Sequence, residues 1–418
     1  MIERKMDYYI FGAHSRGRTV KEYLRVLEPD MQLLAYLYDN DEENQTEADG
    51  VPVYKISNYN AFDISCPVYI GTRGISHPHI IEALKNIGFT DIRPVTVDLD
   101  ISMRNAYVER IFEEKDLPFR KIKVKTGDAP ESSEVSMNEK RDSCCIYVAK
   151  SANDKKLSVD WVPDAHEKIL QVGCALTESR VSGATFFDHD GENISNRNRQ
   201  FCELTGLYWI WKQATQDVVG LVHYRRHFLL PKDWKRYFAA DSEMLGTEAA
   251  DPMTSSTESA DALMSGTEVA DRVIVDDRVS DSLSSYNKKA DVILPVPLYV
   301  APSLAGNFRE RHVPAVWEAM MEALAEGDAE EAKRAEVFFE TNGLYCPCNM
   351  LITRREILSK LCEWLFPILF KVQARIGALS DPYQNRYPGF LSERLITFWF
   401  YEHRDKYRIW FADKNFLQ

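Results

Sequence analysis

Apolar and polar positions alternate in short blocks over the first hundred residues. Apolar runs at residues 8–11, 33–38 and 67–70 each end in a turn that contains glycine or acidic residues. Helical stretches follow the first and third of these runs, at residues 19–27 and 80–86. Strands, turns and helices in this order are typical of a small Rossmann-like α/β unit, so the pattern predicts such a domain over residues 1–100.

The turn after the first predicted strand contains Gly12 and Gly17, and Asp39 follows the second strand. Helix amides behind Gly17 would be able to hold a phosphate, with Asp39 on a ribose. The dinucleotide fingerprint requires a third glycine, however, and bulky His14 stands between the two that are present. A tight strand-to-helix turn without a ligand explains the same glycines, and both interpretations stay open. The missing glycine argues against an NAD-dependent sugar epimerase or reductase.

A connecting segment and a larger domain follow. The pattern predicts an amphipathic helix and a polar linker over residues 101–142, and then a domain over residues 143–418 that opens with a strand at 145–149. Residues 240–285 interrupt this domain and are rich in Ser, Thr, Ala and acidic residues. Such a composition buries too little apolar surface to offset its ordering entropy, so we predict a disordered acidic insertion there.

One helix and one strand are predicted in the second domain just before its most unusual cluster of charged residues. Apolar residues recur at helical spacing over residues 201–212, as Leu204, Leu207, Tyr208 and Trp211, which predicts a helix with one buried face. An apolar run at residues 217–222 then predicts a buried strand.

The predicted strand leads into His-Tyr-Arg-Arg-His at residues 223–227. Ligands of open α/β sheets lie beyond the carboxyl ends of the strands. Arginine forks match phosphate oxygens, and fixed positive charge stabilises a departing diphosphate. We therefore predict that His223, Arg225 and Arg226 bind the diphosphate of a nucleotide-sugar donor. The alternative is that the arginines pair with neighbouring acids, namely Asp188, Asp190 or Glu203.

Composition and charge set wider limits. The chain has 418 residues, 45% of them hydrophobic and 11% aromatic, which is enough for two folded domains. The formal charge of −13 argues against nucleic-acid binding, although residues 241–282 alone carry eleven acids and two arginines. Neither a signal peptide nor an apolar run of about 20 residues is seen, and the cysteines are scattered. These features predict a cytoplasmic protein, with peripheral contact at the inner face of the plasma membrane left open.

Several longer motifs share a resemblance. They are the segments at residues 192–195, 202–212, 220–228, 291–295, 348–352 and 389–395. In this order, over residues 145–418, they resemble a family of bacterial capsular and exopolysaccharide glycosyltransferases. That family was first catalogued as a domain of unknown function and includes galactofuranosyltransferases.

The resemblance implies a GT-A-like glycosyltransferase domain with a mixed sheet. It also implies an inverting transfer from a UDP-sugar, galactofuranose as the first guess, to a saccharide or lipid-linked saccharide acceptor. Further donor-binding residues would be Lys150, Gly173, Asn193 and Asn196. Relatives tend to have Thr-His-Lys at the end of the first strand, whereas this chain has Val-Ala-Lys at residues 148–150, so only Lys150 matches. The alternative function is a non-catalytic nucleotide-sugar-binding scaffold of a polysaccharide assembly system, and polysaccharide assembly proteins at the inner membrane would be partners.

Metal dependence is a separate question. Many GT-A enzymes hold a divalent metal through Asp-x-Asp after a central strand, where this chain has the segment 223–226. Either the arginines replace the metal, or His223 holds one together with a distant carboxylate. Because cations repel a divalent ion, we favour the first and expect no required cofactor. Asp188 and Asp190 superficially resemble a metal-binding pair, but a turn cluster explains them equally well.

An inverting transfer requires a carboxylate that accepts the proton of the acceptor hydroxyl. Our candidate is Glu393, which we place in the opening turn of a helix, and Asp190 is the reserve. The alternative role for Glu393 is an interaction with the helix dipole or with Arg394. Upstream, Tyr383, Arg386 and Tyr387 would line an acceptor groove.

Overall fold

The computed structural model describes residues 7–40, 44–57, 62–72, 74–124, 144–158, 164–238 and 289–417. The linker predicted at residues 126–142 and the insertion predicted at 240–285 lie outside these ranges.

The first sheet is almost entirely parallel, and among the described residues it has the strand order β3-β4-β2-β1-β5-β6. Only β3 runs antiparallel, to β4. Its strands are β1 (Tyr8–Phe11), β2 (Leu33–Tyr38), β3 (Glu47–Ala48), β4 (Val51–Lys55), β5 (Val68–Ile70) and β6 (Ile92–Pro94). Strands β2, β4 and β3 lie on one side of β1, and β5 and β6, which follow later in the chain, lie on the other side. This order confirms the predicted Rossmann-like unit.

Three helices accompany this sheet within the described residues: α1 (Ser15–Leu27), α2 (His77–Asn86) and α3 (Val97–Glu114). The turn between β1 and α1 is sterically tight. A Cβ atom on Gly17 would lie 1.7 Å from the Gly12 carbonyl oxygen, and Gly12 itself has a φ of 102°. Close packing of the turn thus accounts for both glycines, whatever ligand this edge of the sheet takes.

The second sheet is mixed, as predicted. Within the described residues its order is β15-β11-β14-β10-β7-β8-β9, and β14 runs antiparallel to both β10 and β11. Its strands are β7 (Cys144–Ser151), β8 (Glu167–Val172), β9 (Ala184–Phe187), β10 (Val218–His223), β11 (Val292–Pro295), β14 (Leu351–Arg354) and β15 (Ile409–Ala412). A separate small pair consists of β12 (Leu298–Tyr299) and β13 (Leu344–Tyr345).

The helices that follow β9 pack mainly against one another and against the second sheet. They are α4 (Asn198–Phe201), α5 (Leu204–Gln213), α6 (Leu304–Arg311), α7 (Pro314–Ala325), α8 (Ala329–Thr341), α9 (Arg355–Ile376) and α10 (Tyr387–Glu402). No helix of the described residues is long and apolar enough to cross a membrane.

Two helix predictions need correction. The helix predicted over residues 201–212 is broken at Cys202, whose φ of 49° is incompatible with a continuous α-helix. The break separates α4 from α5, although Leu204, Leu207 and Tyr208 are buried as predicted. The helix that carries Glu393 begins at Tyr387, so Glu393 lies in its second turn and not in its opening turn.

The two sheets share one continuous buried apolar cluster. At their junction the Tyr107 ring of α3 packs against Tyr299, with 5.3 Å between centroids. Polar contacts add to this packing, because Arg18 of α1 forms an ion pair with Glu310 of α6 at 3.2 Å. The Rossmann-like unit is therefore docked on the second domain.

Candidate active site

The carboxyl ends of β7 and β10 lie side by side, because the two strands are parallel and pair His223 with Ala149. Beyond them the chain reverses tightly. The Arg226 amide donates to the His223 carbonyl at 2.8 Å, and the His223 amide donates to the Arg226 carbonyl at 3.2 Å. The Tyr224 amide also donates to the Ala149 carbonyl at 3.0 Å. This turn places the predicted arginine pair directly beyond the carboxyl ends of these central strands.

Neither arginine of the turn forms an ion pair with a carboxylate among the residues that the structure describes. Both guanidinium groups instead lie against the ring of Phe416, with 5.0 Å from Arg225 and 5.2 Å from Arg226 to its centroid. Within the described ranges, the positive charge of the pair thus has no acidic neighbour at ion-pair distance.

Asp188 has a different task. It is completely buried, and its two oxygens accept hydrogen bonds from four donors. These donors are the amides of Gly173 (2.8 Å) and Cys174 (3.0 Å) and the hydroxyls of Ser195 (2.5 Å) and Thr205 (2.7 Å). With its acceptor positions filled, Asp188 holds loops together and is not a partner for the arginines or for a metal. The alternative of a turn cluster is the one that the geometry supports.

His223 is half-buried beside the arginine pair. Burial lowers its pKa to about 4, and the charges of Arg226, Arg386 and Arg225 lower it against the opposing effect of Glu203. The imidazole is therefore neutral at pH 7. By contrast, His227 is buried, and its Nδ1 lies 2.9 Å from a Glu167 carboxylate oxygen, so its role is structural.

Glu203 is a functional candidate that sequence reasoning treated only as a partner for the arginines. Its carboxylate accepts a hydrogen bond from the Asn349 side chain at 2.8 Å. Asn349 is buried, donates to the Gly389 carbonyl at 3.2 Å and accepts from the Ser392 hydroxyl at 2.7 Å. The carboxylate of Glu203 thereby lies where it interacts electrostatically with His223. The sequence signal that was available for Glu203 was its place in the polar and aromatic motif at residues 202–212.

Glu393 reaches the same cluster from α10. Its carboxylate accepts a hydrogen bond from the Cys348 amide at 2.5 Å and lies 3.5 Å from the Arg394 guanidinium. Burial raises the pKa of Glu393, against the effects of Arg394 and of the Cys348 amide, and the negative charge of Glu203 raises it further. The ion pair with Arg394 is present, whereas the helix-start interaction is not, because the helix begins earlier.

The backbone around these carboxylates is strained. Cys202, Cys348 and Asn349 all have φ in the left-handed region, at 49°, 74° and 52°. Each such residue costs on the order of 1–3 kcal/mol and persists only where its surroundings impose it. Strain of this kind concentrates at functional sites, and here it lies next to both Glu203 and Glu393.

The remaining donor-side predictions are placed less centrally. Lys150, at the end of β7, interacts electrostatically with Asp154. Gly173 has a φ of 74°, and its amide is bound to Asp188. The Asn193 side chain donates to the carbonyls of His189 and Gly191, both at 2.8 Å, so it stabilises its own turn. Asn196 is exposed.

Asp190, the reserve base, is also exposed, and its carboxylate lies 3.9 Å from the His189 ring. Asp190 is thus exposed to solvent, whereas the carboxylate of Glu393 is buried. Within the described ranges, no group of three or more His, Cys, Asp or Glu side chains is arranged to hold a metal ion.

The acceptor-side predictions separate into two groups. Arg386 lies with its Nε 3.2 Å from the Cys202 sulfur and interacts electrostatically with Glu203. Tyr383 is 52% exposed and packs against Phe390 with 5.0 Å between ring centroids. Tyr387, however, is buried, and its hydroxyl donates to the Gly377 carbonyl at 2.8 Å. Its ring therefore does not face a groove, which corrects that prediction.

A cavity of about 830 Å³ lies elsewhere, between the end of α3 and helices α8 and α10. Its lining includes Phe112, Phe338, Tyr401 and Tyr407 and none of the arginines and carboxylates described above. The candidate active site is thus at the carboxyl ends of β7 and β10 and not in this cavity.

Comparisons with known proteins identify a family model and solved structures that are similar to this chain. Residues 153–404 match the Domain of unknown function (DUF4422). No curated protein matches the chain significantly. The apo structure of WbbM, a bifunctional glycosyltransferase, is 22% identical with a TM-score of 0.47, covering 66% of this chain and 45% of that one. This chain thus spans less than half the length of WbbM. The match over residues 153–404 covers more than half of the sequence, and the chain belongs to the DUF4422 family.

Proposed function

We propose that this protein is a glycosyltransferase that moves a sugar from a nucleotide-diphosphate donor to a saccharide acceptor. One observation carries the proposal: within the described residues, Arg225 and Arg226 lie without carboxylate ion pairs beyond the carboxyl ends of β7 and β10, in one polar cluster with Glu203 and Glu393. The departure of a diphosphate requires fixed positive charge, and the activation of a hydroxyl requires a carboxylate that accepts its proton.

The arginine pair suits the donor. When the sugar leaves, negative charge grows on the diphosphate, and preorganised cations at that place lower the barrier. Guanidinium groups remain charged at any physiological pH and bind phosphate oxygens through two parallel hydrogen bonds. Lys150, at the end of the neighbouring strand β7, would add to this side of the site.

Glu393 suits the acceptor hydroxyl. A general base works best when its pKa lies close to the working pH, and burial moves Glu393 in that direction. Neutral His223 would add a hydrogen bond without further positive charge. The exposed Tyr383 ring and the neighbouring Arg386 would contact the acceptor sugar, because aromatic rings pack against the apolar faces of sugars.

The finer assignments follow the resemblance of the sequence motifs. They are a GT-A-like domain at residues 143–418 behind a Rossmann-like domain at 1–100, UDP-galactofuranose as the first donor to test, and an acceptor from capsule, exopolysaccharide or O-antigen synthesis. A lipid-linked acceptor would bring the protein to the inner face of the plasma membrane. We further propose that the arginines replace a divalent metal, with a metal held by His223 and a distant carboxylate as the alternative.

Nucleotide release tests the proposal. The purified protein is incubated with UDP-, GDP- and dTDP-sugars, including UDP-galactofuranose, with and without a saccharide acceptor and a chelator. We expect release from one donor class, unchanged by chelator and reduced about 100-fold or more in Arg225→Ala. The control is Arg236→Ala, because Arg236 is 62% exposed and pairs with Asp233 away from the site.

The outcomes separate the alternatives. If no donor releases its nucleotide with the wild-type protein, the protein is not a transferase for these donors, and tight binding without release would identify a scaffold. Loss of release in the presence of chelator would show that a metal is required.

A further inference from the structure

The chain segment at residues 413–417 runs along the arginine turn and is hydrogen-bonded to it. The Leu417 amide donates to the Arg225 carbonyl at 2.8 Å, and the Asn415 amide donates to the His227 carbonyl at 3.0 Å. The Asn415 side chain in turn accepts from the His227 amide at 2.8 Å. Phe228 and Lys414 form an antiparallel bridge next to the contact between Asn415 and His227. Residues 413–417 therefore fix the backbone of the arginine turn; we call them the 413–417 strap.

Extended pairing places alternate side chains of the strap on the same side. Lys414 and Phe416 share the side that faces the site. The Phe416 ring contacts the guanidinium groups of both Arg225 and Arg226. Lys414 interacts electrostatically with Arg226 and with Glu393. One short segment thus touches both the cationic and the acidic part of the candidate site.

The charges at this place are unbalanced. Lys414, like the two arginines, has no ion pair with a carboxylate among the described residues. The acid that it approaches, Glu393, is already engaged by the Cys348 amide and by Arg394. Burial lowers the pKa of Lys414, and the charges of Arg104 and Arg226 act in the same direction, against the opposing effects of Cys348 and Glu393. An anion bound among these cations would relieve their mutual repulsion.

We propose that the 413–417 strap is part of the donor site. Lys414 supplies an additional positive charge to the diphosphate, and Phe416 is a positioning residue that holds the two guanidinium groups. This inference rests on the proposed function, since it assigns further residues to the same anion. It requires no covalent step by the strap, only binding and orientation.

Binding of UDP and of inorganic pyrophosphate, measured by calorimetry on the full chain, tests the proposal. We expect Lys414→Met to weaken both probes about tenfold and to reduce the dependence of Kd on ionic strength, because one charge contact is lost. Lys414→Arg should retain most of the affinity. Phe416→Ala should weaken both probes, and Phe416→Tyr should restore them, because the ring is kept.

Matched controls are Lys333→Met, an exposed lysine on α8, and Tyr54→Ala, an exposed tyrosine of the first sheet. Both should bind as the wild type does. Thermal unfolding identifies any variant that fails to fold, and Lys414→Gln then replaces Lys414→Met. The dependence on ionic strength and the rescue by Phe416→Tyr distinguish a ligand role from mere loss of stability.

Two failures are distinguishable. If Lys414→Met and Phe416→Ala bind both probes as tightly as the wild type while Arg225→Ala does not, the strap is not part of the donor site and the proposed function stands. If the wild type binds neither UDP nor pyrophosphate, and releases no nucleotide from any donor, the proposed function fails and this inference fails with it.

Discussion

The guanidinium group of Arg104 lies 3.4 Å from the carboxylate of Asp413, although 309 residues separate them in the sequence. Arg104 is buried on α3, the helix that follows the first sheet, and Asp413 begins the 413–417 strap. The same carboxylate also binds Lys121 at 2.7 Å. The connecting helix is thereby fastened to the segment that carries Lys414 and Phe416, so the Rossmann-like unit is coupled to the candidate active site.

Replacing Arg104 should weaken this coupling. We expect Arg104→Met to lower the free energy of unfolding by about 1–3 kcal/mol, since a buried charged hydrogen bond is lost while Lys121 still partners Asp413. Urea unfolding measures the change. The control is Arg110→Met on the same helix, where an exposed pair with Glu113 contributes about 0–1 kcal/mol. Affinity for UDP should fall in Arg104→Met alone, and equal affinity in both variants would contradict the coupling.

Asp188 should matter for stability rather than for chemistry. Asp188→Asn places an amide among four hydrogen-bond donors, so at least one of them loses its acceptor. We expect a loss of about 2–4 kcal/mol in the free energy of unfolding. Asp190→Asn, two residues away on the exposed turn, should change stability by less than about 0.5 kcal/mol. A similar effect of both substitutions in denaturant titrations would refute the assignment.

The identity of the base can be decided by comparing two carboxylates. We expect Glu393→Gln to lower kcat by about 10²–10⁴ with little change in the KM for the donor, and Asp190→Asn to leave both near the wild-type values. Because the raised pKa of Glu393 must be crossed to form the base, kcat/KM should decrease as the pH falls through it. Glu203→Gln removes a negative charge that raises this pKa, so the decrease should move to lower pH.

An unshifted pH profile in Glu203→Gln, measured by nucleotide release, would show that Glu393 does not titrate in the rate-limiting step. The folding of each variant is checked by thermal unfolding at the same pH values, so that loss of activity is not confused with loss of structure.

His223 should make the protein sensitive to acid. Its folded pKa of about 4 lies below its usual value of 6.5, so the folded state favours the neutral ring. The corresponding stability is present above about pH 6.5 and is lost as the pH falls toward 4. We expect the free energy of unfolding to decrease less steeply over this window in His223→Gln. Identical slopes for the two proteins, from urea titrations between pH 7 and 4.5, would show that the ring does not resist protonation.

The pattern of apolar and polar residues predicted the features that depend on neighbouring residues alone, namely strands and the buried faces of helices. The strand at residues 8–11 and the buried face of the helix with Leu204 and Leu207 follow from side-chain periodicity, which each element imposes on its own sequence. The position of the arginine pair after β10 was predicted from the same kind of local pattern, because the arginines follow the apolar run at residues 217–222 directly in sequence.

Tertiary packing decided which side chains meet there. Glu203 and Asn349 are 146 residues apart, and Arg225 and Leu417 are 192 apart, yet each pair is in contact. These contacts depend on the order of strands in the sheet, with β10 between β7 and β14, and periodicity carries no information on that order. The break at Cys202 has a local partner instead: the Asn198 side chain, four residues earlier, donates to the Cys202 carbonyl at 2.8 Å, a contact that apolar periodicity does not predict.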